Sequence, residues 1–279
     1  MPELPEVETI TRELNAQVAG RRIEAIEIFR DDALGRQSRR AFRAALIGRT
    51  IRACSRRGKF LIFRLEPPRF LVAHLRMTGK FALSDPPPRP APHHRLWFRL
   101  DGGQVLVYQD LRCFGTLEVV ERLADSASLG RLGIEPLSRR FSAAWLGTAL
   151  AASRTPLKHW LMDQRRIAGL GNIYVSEILY AAGLSPALPS HLLDAGGIER
   201  LYRETRRILR KAIRKNGTTI SDFRRVDEKR GEFQHFLKVY GKAGDPCPRC
   251  RTPIARIRQQ QRSTFFCPAC QPLSGSPAA

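Results

Sequence analysis

Long hydrophobic runs are missing: nowhere in the 279 residues do apolar positions approach the ~20 in succession that a membrane-spanning helix requires. The charged beginning, Met1-Pro2-Glu3-Leu4-Pro5-Glu6, also lacks the apolar core of a signal peptide, so the chain is expected to be cytoplasmic, with no membrane partner. Negative charge is scarce. Twenty-six Asp and Glu face 48 Lys and Arg, and the resulting +22 makes a field attractive to a polyanion, with nucleic acid the leading partner. Cysteine is scarce too, with six in the chain. Three disulfides are open to a secreted protein with that number, but Cys54 and Cys113 stand alone while the other four form two tight pairs. Such a distribution suits a metal in a reducing compartment. There is no internal repeat. What is present is an apolar share of 43%, that of a globular protein, in a chain long enough for two domains with cores of their own.

Along the chain, Val7, Ile10, Leu14 and Val18 recur at helical spacing between Pro5 and Gly20, which predicts an amphipathic helix over 6–18. Short runs rich in Ile, Val, Phe and Leu follow at 23–29, 50–54, 59–65, 70–74, 96–100, 105–108 and 115–120. Many short strands with turn punctuation indicate a β-sandwich. Two proline-rich stretches, Pro67-Pro68 and 85–92, are incompatible with central strands and are expected as connections. After a passage at 121–140, helical patterns fill 141–152, 155–164, 173–182 and 194–215. The last is heavily basic, and most of its cations form a solvated face opposite Ile198, Leu201, Ile208 and Leu209.

Cys247-Pro-Arg-Cys250 and Cys267-Pro-Ala-Cys270 allow four thiolates to converge tetrahedrally when two turns face one another, with 251–266 running out and back as a hairpin. Zinc fits such a site best; two surface disulfides or an iron–sulfur cluster are the alternatives. Four sulfurs leave zinc no open position, so the metal would hold up the hairpin rather than catalyse. On the hairpin, Arg262 is either a phosphate contact or an exposed turn arginine. At the other end, Pro2 becomes a secondary amine if Met1 is removed. Attack of that amine on a sugar aldehyde carbon gives an iminium ion, an electron sink; the ordinary alternative is a proline that merely starts a helix.

Several motifs together resemble those of the bacterial formamidopyrimidine-DNA glycosylase family. They are Pro-Glu-Leu-Pro-Glu-Val-Glu-Thr at 2–9, Arg56-Arg57-Gly58-Lys59, His74-Leu75-Arg76-Met77-Thr78-Gly79 and Asp110-Leu111-Arg112-Cys113-Phe114-Gly115. Trp160-Leu161-Met162-Asp163-Gln164, Gly169-Leu170-Gly171-Asn172-Ile173-Tyr174, and the four-cysteine finger with Gln261-Arg262 complete the set. The resemblance runs from Pro2 to about Gln271. It implies an α+β fold: an N-terminal helix with a two-layer β-sandwich at 1–130, then a helix-two-turn-helix domain with a lesion loop at 131–240. A zinc-finger β-hairpin at 241–271 and a disordered tail at 272–279 follow. It also implies a monomer that works on damaged double-stranded DNA with one structural zinc ion. The activity implied is that of a bifunctional glycosylase and abasic-site lyase of base excision repair, removing oxidised purines such as 8-oxoguanine and formamidopyrimidines. The lesion must first be swung out of the stack, at a cost of a few kcal/mol.

Residue by residue, the resemblance makes Pro2 the nucleophile, Glu3 the proton donor and acceptor at the sugar, and Lys59 a lysine beside the sugar and phosphates. Taken alone, Glu3 is a first-turn helix acid and Lys59 a solvated turn lysine. Asn172 and Arg262 complete a phosphate clamp with Lys59, although an N-cap Asn is the plain alternative. Met77, Arg112 and Phe114 match the trio that fills the hole left by the extruded base; Met77 could instead share the core-facing side of Leu75. His93, Arg154, Lys158 and Tyr240 match DNA-contacting positions. Departures stand out as well. Cys113 replaces a usual second Arg, Arg95 stands where a second His is frequent, and Ser221 and Glu228 are unexpected types in the loop over the base. Three other functions remain open from sequence: an endonuclease VIII-like enzyme for oxidised pyrimidines, a catalytically silent binder of abasic or bent DNA, and a zinc-ribbon adaptor. Retention of Pro2, Glu3, Lys59 and Arg262 together argues against the silent binder, the adaptor leaves the N-terminal pattern unexplained, and Pro-Glu-Leu-Pro-Glu-Val-Glu, the Met77, Arg112 and Phe114 trio and the complete finger argue against the endonuclease VIII-like enzyme.

Overall fold

The structure, a computed structural model, describes residues 1–85, 87–220 and 223–273; Ser221 and most of the expected tail lie outside them. Helix α1 (Leu4–Val18) opens the fold with a proline in its first turn, where no intrahelical N–H is lost. Its stripe of Val7, Ile10, Leu14 and Val18 is at most 2% exposed, and each such aliphatic side chain contributes about 1.5–3 kcal/mol by leaving water. Strand β1 (Ile23–Ile28) and helix α2 (Arg39–Leu46) precede β2 (Thr50–Arg57), β3 (Phe60–Glu66) and β4 (Arg69–His74). Strands β5 (Lys80–Ser84), β6 (His94–Leu100), β7 (Val105–Gln109) and β8 (Thr116–Val120) follow, then a single turn of helix, α3 (Ala127–Gly130).

These strands make two antiparallel four-stranded sheets, ordered β1-β6-β7-β5 and β2-β3-β4-β8. Ile26, Phe81, Phe98 and Leu106 of the first sheet share one core with Leu61, Phe63, Leu71 and Leu117 of the second and with the stripe of α1. The sandwich expected from sequence is therefore present, with two elements added. Helix α2 offers only Phe42 and Leu46 to the core, too few for a periodic signal, although Ser38 caps it by accepting from the Ala41 N–H. Strand β5 lies between a turn and the proline-rich connection and pairs with β7 from Lys80↔Gln109 to Ser84↔Val105.

The chain divides into two compact units, Met1–Arg131 with Lys215–Gln234, and Leu132–Arg214 with His235–Ala279. Several hydrogen bonds of the segment after residue 214 run to α1. Glu6 Oε1 accepts from the Thr218 N–H at 2.7 Å, Glu13 accepts from Arg225 and from the Val226 N–H, and Val226 enters the sandwich core. Glu228, one of the unexpected residues, pairs with Lys80 at 2.9 Å.

The second unit contains α4 (Ala143–Ala151), α5 (Leu157–Met162), α6 (Asn172–Ala182) and α7 (Ala195–Arg214), then a hairpin of β9 (Ala255–Gln259) and β10 (Arg262–Phe266). Two successive turns at 164–169 link α5 to α6. Gln164 organises them, accepting from the Gly169 N–H and donating to the Leu170 and Met162 carbonyls.

Candidate functional site

In the first unit, Pro2 is buried at the start of α1 and Glu3 is 3% exposed. The Glu3 N–H donates to Glu6 Oε2 at 2.8 Å, and the other Glu6 oxygen holds Thr218. Glu6 therefore anchors the chain beside residues 2 and 3 through both oxygens. It belongs to the motif read from sequence without having been given a role, although a Glu three residues into a helix is a legible capping signal. Lys59, 6% exposed, sits in the two-residue turn between β2 and β3, where Gly58 takes φ +57 at the first turn position. Arg56 ties this turn to α1, donating to Glu8 Oε2 at 3.0 Å and to the Gly58 carbonyl at 2.9 Å.

Met77 is 40% exposed in the turn after β4, while Leu75 points into the core. His74 shapes that turn by accepting the Arg76 N–H on Nδ1, with Arg76 at φ +52. Burial, reinforced by Arg76 and Lys59, pushes His74 down to about 3, so it stays neutral and keeps the acceptor. Phe114 is 54% exposed, with the Arg112 guanidinium 5.0 Å from its ring centre. Asp110, 1% exposed, brings these two turns together. Its Oδ1 accepts from Thr78 at 2.6 Å and from the Arg112 N–H at 3.2 Å, and its Oδ2 from the Gly115 N–H at 2.7 Å. Gly115 is required there, because a Cβ would stand 1.8 Å from the Tyr108 hydroxyl. His93, half-buried, stacks edge-on against His94 at 5.2 Å.

In the second unit, Lys158 and Asn172 converge on the hairpin. Lys158 Nζ donates to the Ser263 carbonyl at 3.1 Å and to Thr264 Oγ1, and Asn172 Nδ2 donates to the same carbonyl at 2.9 Å. Asn172 is the first residue of α6 rather than its cap, which is Gly171, and its buried Oδ1 has no hydrogen-bond partner among the described residues. Burial and the neighbouring Arg262 bring Lys158 down to about 8. Arg262 is exposed just after a tight turn whose central residues, Gln260 and Gln261, both have positive φ, as a twisted two-residue hairpin requires. Lys158, His159, Arg165, Arg166 and Arg262 are among the walls of a cavity of about 450 Å³; Arg154 is exposed in the loop before α5 and is not one of them. Tyr240 packs edge-on against Phe265 at 5.1 Å. Its backbone, with those of Lys238 and Val239, donates to the buried carboxylate of Glu177, a role whose partners lie too far along the chain to be legible in sequence.

The sulfurs of Cys247, Cys250, Cys267 and Cys270 lie within 4.8 Å of one another. Hydrogen-bonding pairs among them are 3.4 to 3.8 Å apart, close to the roughly 3.8 Å edge of a tetrahedron with 2.3 Å metal–sulfur bonds. The four cysteines are free, and their sulfurs are spaced to hold one metal ion between them. It is moored to α6: Arg249 donates to the Tyr180 and Ala181 carbonyls, and Gln271 donates to the Leu184 carbonyl while accepting the Cys267 N–H.

Sandwich, helix-two-turn-helix and cysteine finger together define a DNA-binding class of protein. Three family models match in order: the formamidopyrimidine-DNA glycosylase N-terminal domain at residues 1–117, the H2TH domain of the same enzymes at 132–224, and the zinc finger found in FPG and IleRS at 244–273. A formamidopyrimidine-DNA glycosylase of Desulfitobacterium hafniense is 41% identical over 97% of this chain and 100% of its own length. A mutant FPG of Lactococcus lactis, solved in complex with DNA containing Fapy-dG, superimposes with a TM-score of 0.92 at 35% identity, covering 97% of this chain and 100% of that one. The MutM (Fpg) protein of Thermus thermophilus gives 0.87 at 43% identity, over 97% and 98%. The chain belongs to the formamidopyrimidine-DNA glycosylase family.

Proposed function

We propose that this glycosylase of base excision repair removes oxidised purines from duplex DNA through Pro2 and then cuts the strand. With Met1 removed, the Pro2 nitrogen bonds to the anomeric carbon and the damaged base leaves with the electrons of the glycosidic bond. The ring-opened iminium acidifies the adjacent sugar carbon. Loss of that proton expels one phosphate, and a second elimination expels the other. Glu3 supplies and accepts the protons at the sugar, and Lys59, Asn172, Lys158 and Arg262 hold the phosphates as charge-assisted donors. Met77, Arg112 and Phe114 fill the hole in the duplex, and His93, Arg154 and Tyr240 contact the strands. The observation that carries this assignment is the buried Pro2–Glu3 pair held by Glu6, an arrangement that DNA binding alone does not need.

The metal is zinc in this proposal. Cys247, Cys250, Cys267 and Cys270 fill all four positions, so the ion supplies structure and no open site for chemistry. The protein acts as a monomer on DNA in the cytoplasm.

Borohydride trapping tests the assignment with duplexes carrying 8-oxoguanine opposite cytosine or an oxidised pyrimidine. An adduct on the purine duplex is expected, with strand cutting slowed about a hundredfold or more by Pro2→Gly. No adduct on either duplex refutes the enzyme, and an adduct on the pyrimidine alone replaces the substrate; the Lactococcus lactis relative has itself been solved with DNA containing an oxidised pyrimidine.

A further inference from the structure

Two of the departures from the family pattern, Arg95 and Cys113, are in contact. Arg95 stands on β6 where the register against β7 shifts between His94 and Leu96; a bulge of this kind re-aims a side chain, and that of Arg95 is 3% exposed. Its guanidinium reaches three groups. Nη1 donates to the Pro92 carbonyl at 3.0 Å, and Nη2 donates both to the Asp110 carbonyl and to Cys113 Sγ, the latter at 2.9 Å. Asp32 lies 4.0 Å from Nε and balances a cation that burial would otherwise penalise. Hydrogen bonding to Asp32, with burial, raises the Cys113 thiol above its ordinary pKa.

Asp110 and Cys113 bracket Leu111 and Arg112, and Cys113 has φ +58, a conformation that a side chain adopts only when its surroundings over-determine it. The Asp110 carboxylate fixes the loop from the side of Thr78 and Gly115, and Arg95 fixes it from beneath. The residues on either side of the Cys113 anchor are Arg112 and Phe114. An arginine at 113 would bring a second guanidinium against the buried one, so the two positions are coupled.

We propose that Arg95 is a positioning residue for the loop that enters the duplex: by gripping Asp110 and Cys113 together it sets the reach of Arg112 toward the orphaned base and of Phe114 into the stack. The assignment rests on the function proposed above, because it takes Arg112 and Phe114 as the groups that meet DNA.

A mutant cycle of Arg95→His, Cys113→Arg and the double variant tests it. The readouts are single-turnover release of 8-oxoguanine opposite cytosine and opposite adenine, and binding to a duplex with a tetrahydrofuran abasic analogue opposite a cytosine flanked by 2-aminopurine. Each single variant is expected to weaken binding and the preference for cytosine about tenfold, and the double variant to recover both to within about threefold of wild type. Arg95→Lys keeps the charge beside Asp32 but lacks the fork that reaches both loop groups. It is expected to fold with a near-normal melting temperature, to lose cytosine preference and to show a changed 2-aminopurine signal. Losses that simply multiply in the double variant, or full cytosine preference in Arg95→Lys, overturn the assignment. If the wild type binds the abasic duplex but releases no 8-oxoguanine, the substrate assignment falls, while the binding and fluorescence cycle still decides the role of Arg95.

Discussion

The two units hold their functional side chains by different means. In the first, a sandwich core of some two dozen buried aliphatic and aromatic side chains carries loops whose backbone N–H groups are gathered by the buried carboxylates of Glu6 and Asp110, with Glu13 holding the segment after 214. In the second, the hairpin bearing Arg262 has a small core of its own, Tyr180, Val239, Ile254 and two of the cysteines, and depends on four thiolates closing around an ion. A large core tolerates the strain of positive φ at Arg76 and Cys113. A small one needs a metal in its place.

Removing the metal should break the comparison most severely. Cys250→Ser, or a strong chelator, is expected to unfold the hairpin and reduce DNA affinity by about a hundredfold or more, since binding free energy at such a site is folding free energy. Thermal unfolding of the first unit should be unchanged by the same treatment. Calorimetry together with DNA titration measures both, and near-normal binding by metal-free protein would show that the finger does not support the interface.

Asp110→Ala should act on the other unit alone. It strands three donors around a buried position, at a cost of about 1–3 kcal/mol, and frees the Arg112–Phe114 loop. Cytosine preference and excision rate should fall while metal content stays at that of wild type, which metal analysis and single-turnover kinetics would show.

The smallest expected effect is a pH dependence of DNA affinity arising in the second unit. Burial and Arg262 hold Lys158 at about 8, below the usual lysine value, so the amine is charged at pH 7 and mostly neutral at pH 9. A phosphate binds the charged form; affinity should therefore fall roughly tenfold as pH rises through 8, the scale of one charge-assisted hydrogen bond. Lys158→Arg, charged throughout, should flatten the profile between pH 7 and 9. An equally steep fall in that variant assigns the titration to another group. Below neutrality, buried neutral His74, depressed to about 3, works in the opposite sense: the unfolded chain takes up a proton below its own value near 6.5, so stability is lost as pH falls toward 3.

Much of this was legible in the chain because the signals were local. The stripe of α1, the cysteine pairs and most strands announce themselves within a few residues, and so does the Gly58 turn that carries Lys59. Helix α2 escaped because two apolar anchors among arginines make no stripe, and β5 because the turn before it and the prolines after it mask a short alternation. The functions of Glu6, Asp110 and Glu177 escaped for another reason. Glu6 and Glu177 are ordinary acids until backbone N–H groups arrive from far along the chain, those of Thr218 and Val239; Asp110 gathers N–H groups two and five residues on, but meets its distant partner, Thr78, only through a hydroxyl.

The sequence by itself determined the class of fold, the two cysteine pairs and the excess of positive charge, because composition, spacing and periodicity encode these directly; the groups expected to do the chemistry were named by the resemblance to the family. Tertiary structure alone decided which carboxylates hold which loops, that Met77 faces solvent while Leu75 is buried, and that two departures from the family pattern, Arg95 and Cys113, touch. Such facts depend on contacts between residues distant in the chain, and those contacts exist only once burial has brought the segments together.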